Sequence, residues 1–89
     1  SAAGKRPETK VLAFEKCDVS GLPARLGAGG KAAADEVSQR LGLAAGDPVW
    51  WLERLRLADG SPVILERRVI VAAHCPCLKR SDVSGSLYQ

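Results

Sequence analysis

The spacing of apolar and polar residues changes several times along this 89-residue chain. Imperfect alternation over residues 9–17 predicts a first strand. An alanine-rich segment with apolar residues at helical spacing predicts a helix over residues 32–41, and Gly42 fits the stop that follows it. Between these elements, glycines and prolines interrupt any periodicity, so the pattern predicts a loop there.

Two further strands are predicted in the second half of the chain. Residues 49–57 are rich in β-formers, and a third strand begins at Pro62 or Val63 and runs to about Val71. With the first strand they give an antiparallel sheet with packed helices, which is the α+β class. After the third strand, His74 to Cys77 ends the pairing, and residues 86–88 have the pattern of a helix start.

The sequence leaves two connections open between the second and third strands. In a two-residue turn, Leu57 lies opposite Pro62. In a three-residue loop with a G1 bulge at Gly60, Leu57 lies opposite Ser61. We favour the three-residue loop because Ala58 suits its first turn position, which needs a negative φ.

The register of that loop gathers charged side chains on one face of the sheet: Arg54, Arg56, Glu66 and Arg68. The reverse face is mostly apolar and suits packing against a helix or a second sheet. Arginines two residues apart beside a carboxylate suit a small anionic or polyhydroxylated ligand, because guanidinium groups hold phosphate or carboxylate bidentately. The same pattern also fits a solvated face with cross-strand ion pairs, which is ordinary in antiparallel sheets.

Composition and charge argue against a nucleic-acid-binding protein and against a membrane protein. The chain is long enough for one small domain. Its net charge of +3 is mild and spread along the sequence, which does not indicate nucleic-acid binding. The apolar runs are far shorter than the roughly 18–20 residues that cross a bilayer, and the first residues show no secretory signal, so we expect a cytoplasmic location and no membrane contact.

Candidate metal and catalytic residues are few. His74, Cys75 and Cys77 are good ligand types, but the C-x-C spacing is not that of a structural zinc site. Adjacent His and Cys on an extended chain point to opposite sides, which is unsuited to a nucleophilic pair. Gly-rich residues 27–30 lack the full phosphate-loop pattern and are interpreted as a linker loop. We therefore predict no catalytic residue, no metal and no cofactor, and with an odd number of cysteines no disulfide framework.

Five short segments follow one another in a specific order: a helix ending in Leu41-Gly42-Leu43, an Arg54-Leu55-Arg56 strand, an Ala58-Asp59-Gly60 turn, a strand with Leu65-Glu66, and Ser86-Leu87-Tyr88. This order closely resembles the UTRA domain, the effector-binding domain of HutC-like regulators in the GntR superfamily, over about residues 9–89. The resemblance implies a chorismate-lyase-like fold. Residues 1–8 are then a linker or tail, and the family pattern implies a domain truncated on its C-terminal side.

The resemblance also implies a function and a site. The ligand would be a small-molecule effector such as a sugar phosphate, an amino acid or a related anion, and DNA would be bound only through a separate winged-helix domain. The implied ligand-binding residues are Arg54, Arg56, Glu66, Ser86 and Tyr88. We expect Arg54 to add little to stability as an arginine on a sheet face. Family regulators are dimers, which implies a homodimer.

Two other functions stay open from the sequence. One is an enzyme of the chorismate-lyase type, because a fold does not determine its function. The other is a small interaction domain whose charged face is only solvated. In each case, an unpaired sheet edge and a thinly covered apolar face predict that the chain associates with copies of itself or with other segments.

Overall fold

The computed structural model describes residues 6–84, which form one antiparallel sheet with short helices. The elements in chain order are β1 (Pro7–Asp18), α1 (Leu22–Leu26), α2 (Gly30–Leu41), β2 (Pro48–Ala58), β3 (Ser61–Val71) and α3 (Arg80–Val83), with 3-10 turns at Val19–Gly21 and Ala72–His74. The α+β prediction is confirmed. Ser86, Tyr88 and the helix start predicted over residues 86–88 lie outside the described residues.

The predicted loop after the first strand was wrong in part. It contains a 3-10 turn and the short helix α1. The Asp18 side chain accepts a hydrogen bond of 3.2 Å from the Gly21 N–H and so caps the 3-10 turn. Pro23 lies in the first turn of α1, where its missing N–H costs nothing.

The sheet order is β1-β2-β3, with β2 in the centre. Its connection to β3 is a two-residue turn, so the favoured three-residue loop is wrong. Asp59 and Gly60 have φ angles of 51° and 81°, and positive φ at both central positions is the requirement of a type I′ turn. Leu57 accordingly lies opposite Pro62.

A bulge follows the turn and changes the register a second time. Leu57 pairs with Pro62, but Arg56 pairs with Ile64, which leaves Val63 as an extra residue in β3. The turn and the bulge together place Arg54 opposite Glu66. Beyond the bulge this register differs by two residues from that of the three-residue loop, so the side chains of Arg56 and the β2 residues before it keep their predicted face but gain different partners.

One face of the sheet, here called the helix-packed face, carries the main core. Its central residues pack against α1, α2 and the turn before them, and the buried cluster consists of Val19, Leu22, Ala34, Val49 and Trp51. Leu22 and Val49 are completely buried. Removal of this apolar surface from water is the main force that holds the helices on the sheet.

Helices α1 and α2 approach closely at Gly30. The interpretation of residues 27–30 as a linker loop is wrong at Gly30, which begins α2, whereas residues 27–29 connect the two helices. A Cβ atom at Gly30 would lie 2.4 Å from the Pro23 carbonyl oxygen. Gly27 and Gly29 have φ angles of 77° and 74° and make the tight reversal between the helices. The glycines therefore serve packing and turning of the chain.

Candidate functional site

The opposite side of the sheet, here called the arginine face, is organised around Arg54. Arg54 lies in the middle of β2 and is 0% exposed. Its Nε donates to Glu66 Oε1 at 2.9 Å, and its Nη2 lies 2.6 Å from the same oxygen. Its Nη1 donates to the carbonyl oxygen of Val83 in α3 at 2.9 Å. A buried guanidinium of this kind is stable only when it is paired and hydrogen-bonded.

Glu66 links this arginine to a second one. Its Oε2 accepts a hydrogen bond of 3.1 Å from Arg68 Nη2, and the Glu66 side chain is 15% exposed. Burial acts to raise the pKa of Glu66, but the hydrogen bonds and charges of Arg54 and Arg68 outweigh it and leave this pKa below its usual value. Glu66 is thus held as a carboxylate between two guanidinium groups.

The structure brings together two of the five site residues implied by the resemblance and sets a third on the same face. Arg54 and Glu66 are in direct contact. Arg56 lies two residues farther along β2, opposite Thr9 on one side and Ile64 on the other, and is half-buried. Ser86 and Tyr88 lie outside the described residues.

The sequence predicted that Arg54 is an arginine on the sheet surface that adds little to stability, but the structure shows it buried. That expectation was wrong because α3 covers the guanidinium and contributes a backbone acceptor from 29 residues away. Arg68 was placed on the correct face but was left out of the predicted site. Its spacing of two residues from Glu66 was a usable signal, whereas a backbone acceptor such as the Val83 carbonyl has no signature in the sequence.

An aromatic patch adjoins the cluster along the arginine face. The rings of Phe14 and Trp50 stack with centroids 5.0 Å apart and an interplanar angle of 15°. Lys16 Nζ lies 5.6 Å from the Trp50 ring, within the range of a cation–π contact. Trp50 Nε1 donates to the Cys75 carbonyl at 2.9 Å, which ties the segment after β3 to the sheet. Trp50 is therefore fixed in position.

Residues 6–84 contain neither a candidate metal site nor a candidate membrane-spanning helix. No group of three or more His, Cys, Asp or Glu residues there could hold a metal ion. Cys17, Cys75 and Cys77 are free thiols. No helix in this range is long and apolar enough to cross a membrane.

Two surface grooves lie elsewhere. One, of about 340 Å³, lies between the α1 region and α2, and includes Ser20, Lys31 and Asp35. The other, of about 300 Å³, lies between α2 and β3 and is mostly apolar, with Leu41 and Val69 in its lining. Neither includes a residue of the Arg54–Glu66–Arg68 cluster, so the cluster is separate from both grooves.

A comparison with protein families identifies the family of the chain. The family model of the UTRA domain matches residues 2–89. The chain belongs to the UTRA domain family. UTRA domains are generally the effector-binding domains of GntR-family regulators and are not typically enzymes. No curated protein and no solved structure gives a significant match.

Proposed function

We propose that this UTRA domain binds a small anionic metabolite on its arginine face, as the effector of a HutC-type transcriptional regulator. The proposed ligand-binding residues are Arg54, Arg56, Glu66, Ser86 and Tyr88. A sugar phosphate, an amino acid or a related anion would fit this set, because it offers guanidinium groups for an acidic group and a carboxylate for hydroxyl or amine groups.

The observation that carries the proposal is that guanidinium groups gather beside a carboxylate on one face of the sheet. Two guanidinium groups share one carboxylate in a region where Arg54 is fully buried. Arg56 adds a third guanidinium to the same face. Guanidinium groups gathered on one face are suited to an acidic group of a ligand, because they hold phosphate or carboxylate bidentately.

The bond from Arg54 to Val83 supplies a route from ligand to conformation. Helix α3 is held on the sheet through its Val83 carbonyl, and Ser86 and Tyr88 are three and five residues later in the sequence. We propose that an anion competes with that carbonyl for Arg54 Nη1, so that the ligand favours another placement of α3. Only such a difference in affinity between two arrangements can shift an equilibrium.

In the whole regulator, which we propose to be a cytoplasmic homodimer, this shift would change operator binding by a separate winged-helix domain. The coupling would be reciprocal: operator DNA would alter effector affinity by the same factor by which effector alters operator affinity.

Thermal-shift measurements and calorimetric titration of the 89-residue chain test the anion-binding step. The probes are inorganic phosphate, glucose 6-phosphate, glutamate and citrate, with uncharged glucose as the control. At least one anion is expected to raise the melting temperature, since a ligand that binds only the native state stabilises it. If none of these anions binds at about 10 mM, which corresponds to a dissociation constant weaker than the millimolar range, the proposal is wrong.

The variant for this test is Arg56→Gln, because Arg56 is half-buried and its loss leaves the Arg54–Glu66 pair in place. Arg40→Gln is its matched control, since Arg40 lies on α2 with its side chain 77% exposed. Arg56→Gln should weaken anion binding by about tenfold or more, the equivalent of one lost charge-assisted hydrogen bond. Equal affinity in the two variants would remove Arg56 from the site.

A further inference from the structure

Two cysteines lie two residues apart on the segment that joins β3 to α3. Cys75 and Cys77 flank Pro76, and both are free thiols, with Cys75 half-buried and Cys77 exposed. Neither belongs to the arginine cluster or lines one of the two surface grooves. A pair of thiols at this spacing is a candidate for reversible oxidation, because each sulfur has a partner within the same short segment.

The backbone of this segment is closed into a tight turn. The Leu78 N–H donates to the Cys75 carbonyl oxygen at 3.4 Å, which makes Pro76 and Cys77 the two central residues of a β-turn. Pro76 fixes φ at the first central position. Two peptide units folded back in this way set the Cα atoms of the two cysteines about 5.5 Å apart. A disulfide spans Cα separations of about 4.4–6.8 Å, so the turn brings the two cysteines within bonding range.

The turn is also fixed against the sheet. Trp50 Nε1 donates to the Cys75 carbonyl oxygen at 2.9 Å, and the Cys75 N–H donates to the Ala72 carbonyl oxygen at 3.1 Å. Both hydrogen bonds hold the backbone of Cys75, whereas Cys77 is exposed. One cysteine is therefore held in place while the other is open to reagents in the solvent.

The third cysteine of the chain lies on the other side of the sheet. Cys17 is on the helix-packed face, where it packs against the core cluster. Cys75 is bonded to Trp50, whose side chain lies on the arginine face. The sheet separates the two sides, since successive side chains of a strand point to opposite faces. Cys75 and Cys77 are therefore the two cysteines that can form a bridge within one chain.

We propose that Cys75 and Cys77 form a reversible disulfide when the protein meets a peroxide. The exposed Cys77 sulfur attacks one peroxide oxygen, which breaks the O–O bond and gives a sulfenic acid at Cys77 and a first water molecule. The Cys75 sulfur then attacks the Cys77 sulfur and displaces its hydroxyl group, which takes the Cys75 thiol proton and leaves as a second water molecule. The two thiols together lose two protons and two electrons, and these reduce one hydrogen peroxide to two waters.

The bridge is a transient modification and not a structural disulfide. It closes a ring with a single residue between the cysteines, and a ring this short is strained. Strained or exposed disulfides are reduced readily by thiols, whereas structural disulfides resist reduction. An excess of a low-molecular-mass thiol therefore returns both cysteines to the reduced state, which is typical of disulfides that act in a reducing compartment.

The modification reaches the arginine face through Trp50. Closure of the ring restrains Cys75, whose carbonyl oxygen accepts the Trp50 Nε1–H. Oxidation therefore changes the surroundings of this indole, and its fluorescence reports the change. The other tryptophan, Trp51, is 3% exposed and packs in the core of the helix-packed face, away from the turn. Since no effector takes part in these steps, the inference stands apart from the proposed function.

Treatment of the 89-residue chain with hydrogen peroxide, followed by mass spectrometry of tryptic peptides, tests the bridge. Trypsin cleaves after Arg68 and Lys79, so both cysteines of the turn fall in the peptide of residues 69–79, whereas Cys17 falls in that of residues 17–25. The peptide of residues 69–79 should lose about 2 Da, the mass of two hydrogen atoms, and regain it with dithiothreitol. An unchanged peptide, a peptide that only gains oxygen, or a disulfide to Cys17 would overturn the proposal.

Serine variants test the roles of the two sulfurs. Cys17→Ser is the matched control, and it should form the bridge as the parent does. Cys75→Ser should accumulate a sulfenic acid at Cys77, which dimedone traps. Cys77→Ser should react in the peptide of residues 69–79 at least about tenfold more slowly, because its remaining thiol there is half-buried. Equal rates for Cys75→Ser and Cys77→Ser would overturn the assignment of Cys77 as the sulfur that attacks the peroxide.

Tryptophan fluorescence tests the connection to Trp50. Oxidation should change the emission of the parent and of Cys17→Ser, and dithiothreitol should restore it. Cys77→Ser should show no such change, since it cannot close the ring. A parent that forms the bridge with unchanged emission would overturn the connection to Trp50. Far-ultraviolet circular dichroism confirms that each variant is folded, and the peptide measurement on the parent needs no variant.

Discussion

The guanidinium of Arg54 and the backbone carbonyl of Val83 form a 2.9 Å hydrogen bond that joins the centre of the sheet to helix α3. A helix of four residues has no stability of its own. α3 is held by this bond, by the complete burial of Val83, and by a 2.8 Å hydrogen bond from the Lys79 N–H to Asp82 at its start. The candidate site and the position of α3 therefore depend on the same arginine.

Arg54→Ala should destabilise the protein strongly. It leaves the Val83 carbonyl without this donor and Glu66 without one of its two arginines. Removal of one partner from a buried ion pair costs about 3–5 kcal/mol. Urea denaturation measures the loss. Arg40→Ala is the control, since its pair with Glu36 is exposed and such pairs contribute only about 0–1 kcal/mol. Equal losses in both variants would contradict the buried pair.

Glu66 should make stability fall in acid. Its pKa is lowered in the folded state, so the stability that it contributes is complete above the unfolded value of about 4.3 and is lost as the pH falls through the folded value. Glu66→Gln lacks this contribution. Unfolding free energies measured between about pH 6 and pH 3 should decline less steeply for Glu66→Gln than for the parent. Parallel profiles would show that Glu66 does not carry this dependence.

Gly60→Val should destabilise the hairpin between β2 and β3. Gly60 has a φ of 81°, and a β-branched residue resists this conformation by about 1–2 kcal/mol or more. Gly46→Val is the matched control: an added Cβ meets no atom within 4 Å at either glycine, but the φ of Gly46 is not positive. Thermal melting measures both variants, and Gly60→Val should melt at the lower temperature. Equal melting temperatures would show that the positive φ of Gly60 is not the cause of the destabilisation.

Gly30→Ala should destabilise the packing of α1 on α2. In a helix interior alanine is favoured over glycine by about 1 kcal/mol, so propensity alone predicts a gain. At Gly30 the added Cβ would lie 2.4 Å from the Pro23 carbonyl oxygen, and the helices must separate. Overpacking of this kind costs about 1–3 kcal/mol, which should exceed the gain. A higher midpoint in urea for Gly30→Ala would show that α1 moves aside easily.

The sequence by itself determined the three strands, helix α2 and which residues of each strand share a face. Alternation is a local property of each strand, so it placed Arg54 with Arg56 on one face of β2 and Glu66 with Arg68 on one face of β3. Their assignment to the same face came from the register of the three-residue loop, which was wrong, although the four residues do share a face. Parity explains this result. The two-residue turn alone would set Arg54 opposite Leu65 and on the other face from Glu66. The bulge at Val63 adds a second shift of one residue, which returns Arg54 and Glu66 to one face as direct partners.

The tertiary structure alone decided that Arg54 is buried and that the close approach of α1 and α2 requires a glycine at position 30. The residues around Val63 carry no sequence signal for a bulge, yet the bulge sets Arg54 directly opposite Glu66. The covering of that pair by Val83 joins residues 29 positions apart, and the close approach at Gly30 depends on how α1 docks. Each is a contact between segments whose distance is set by packing of the whole domain, which the pattern of one segment does not encode.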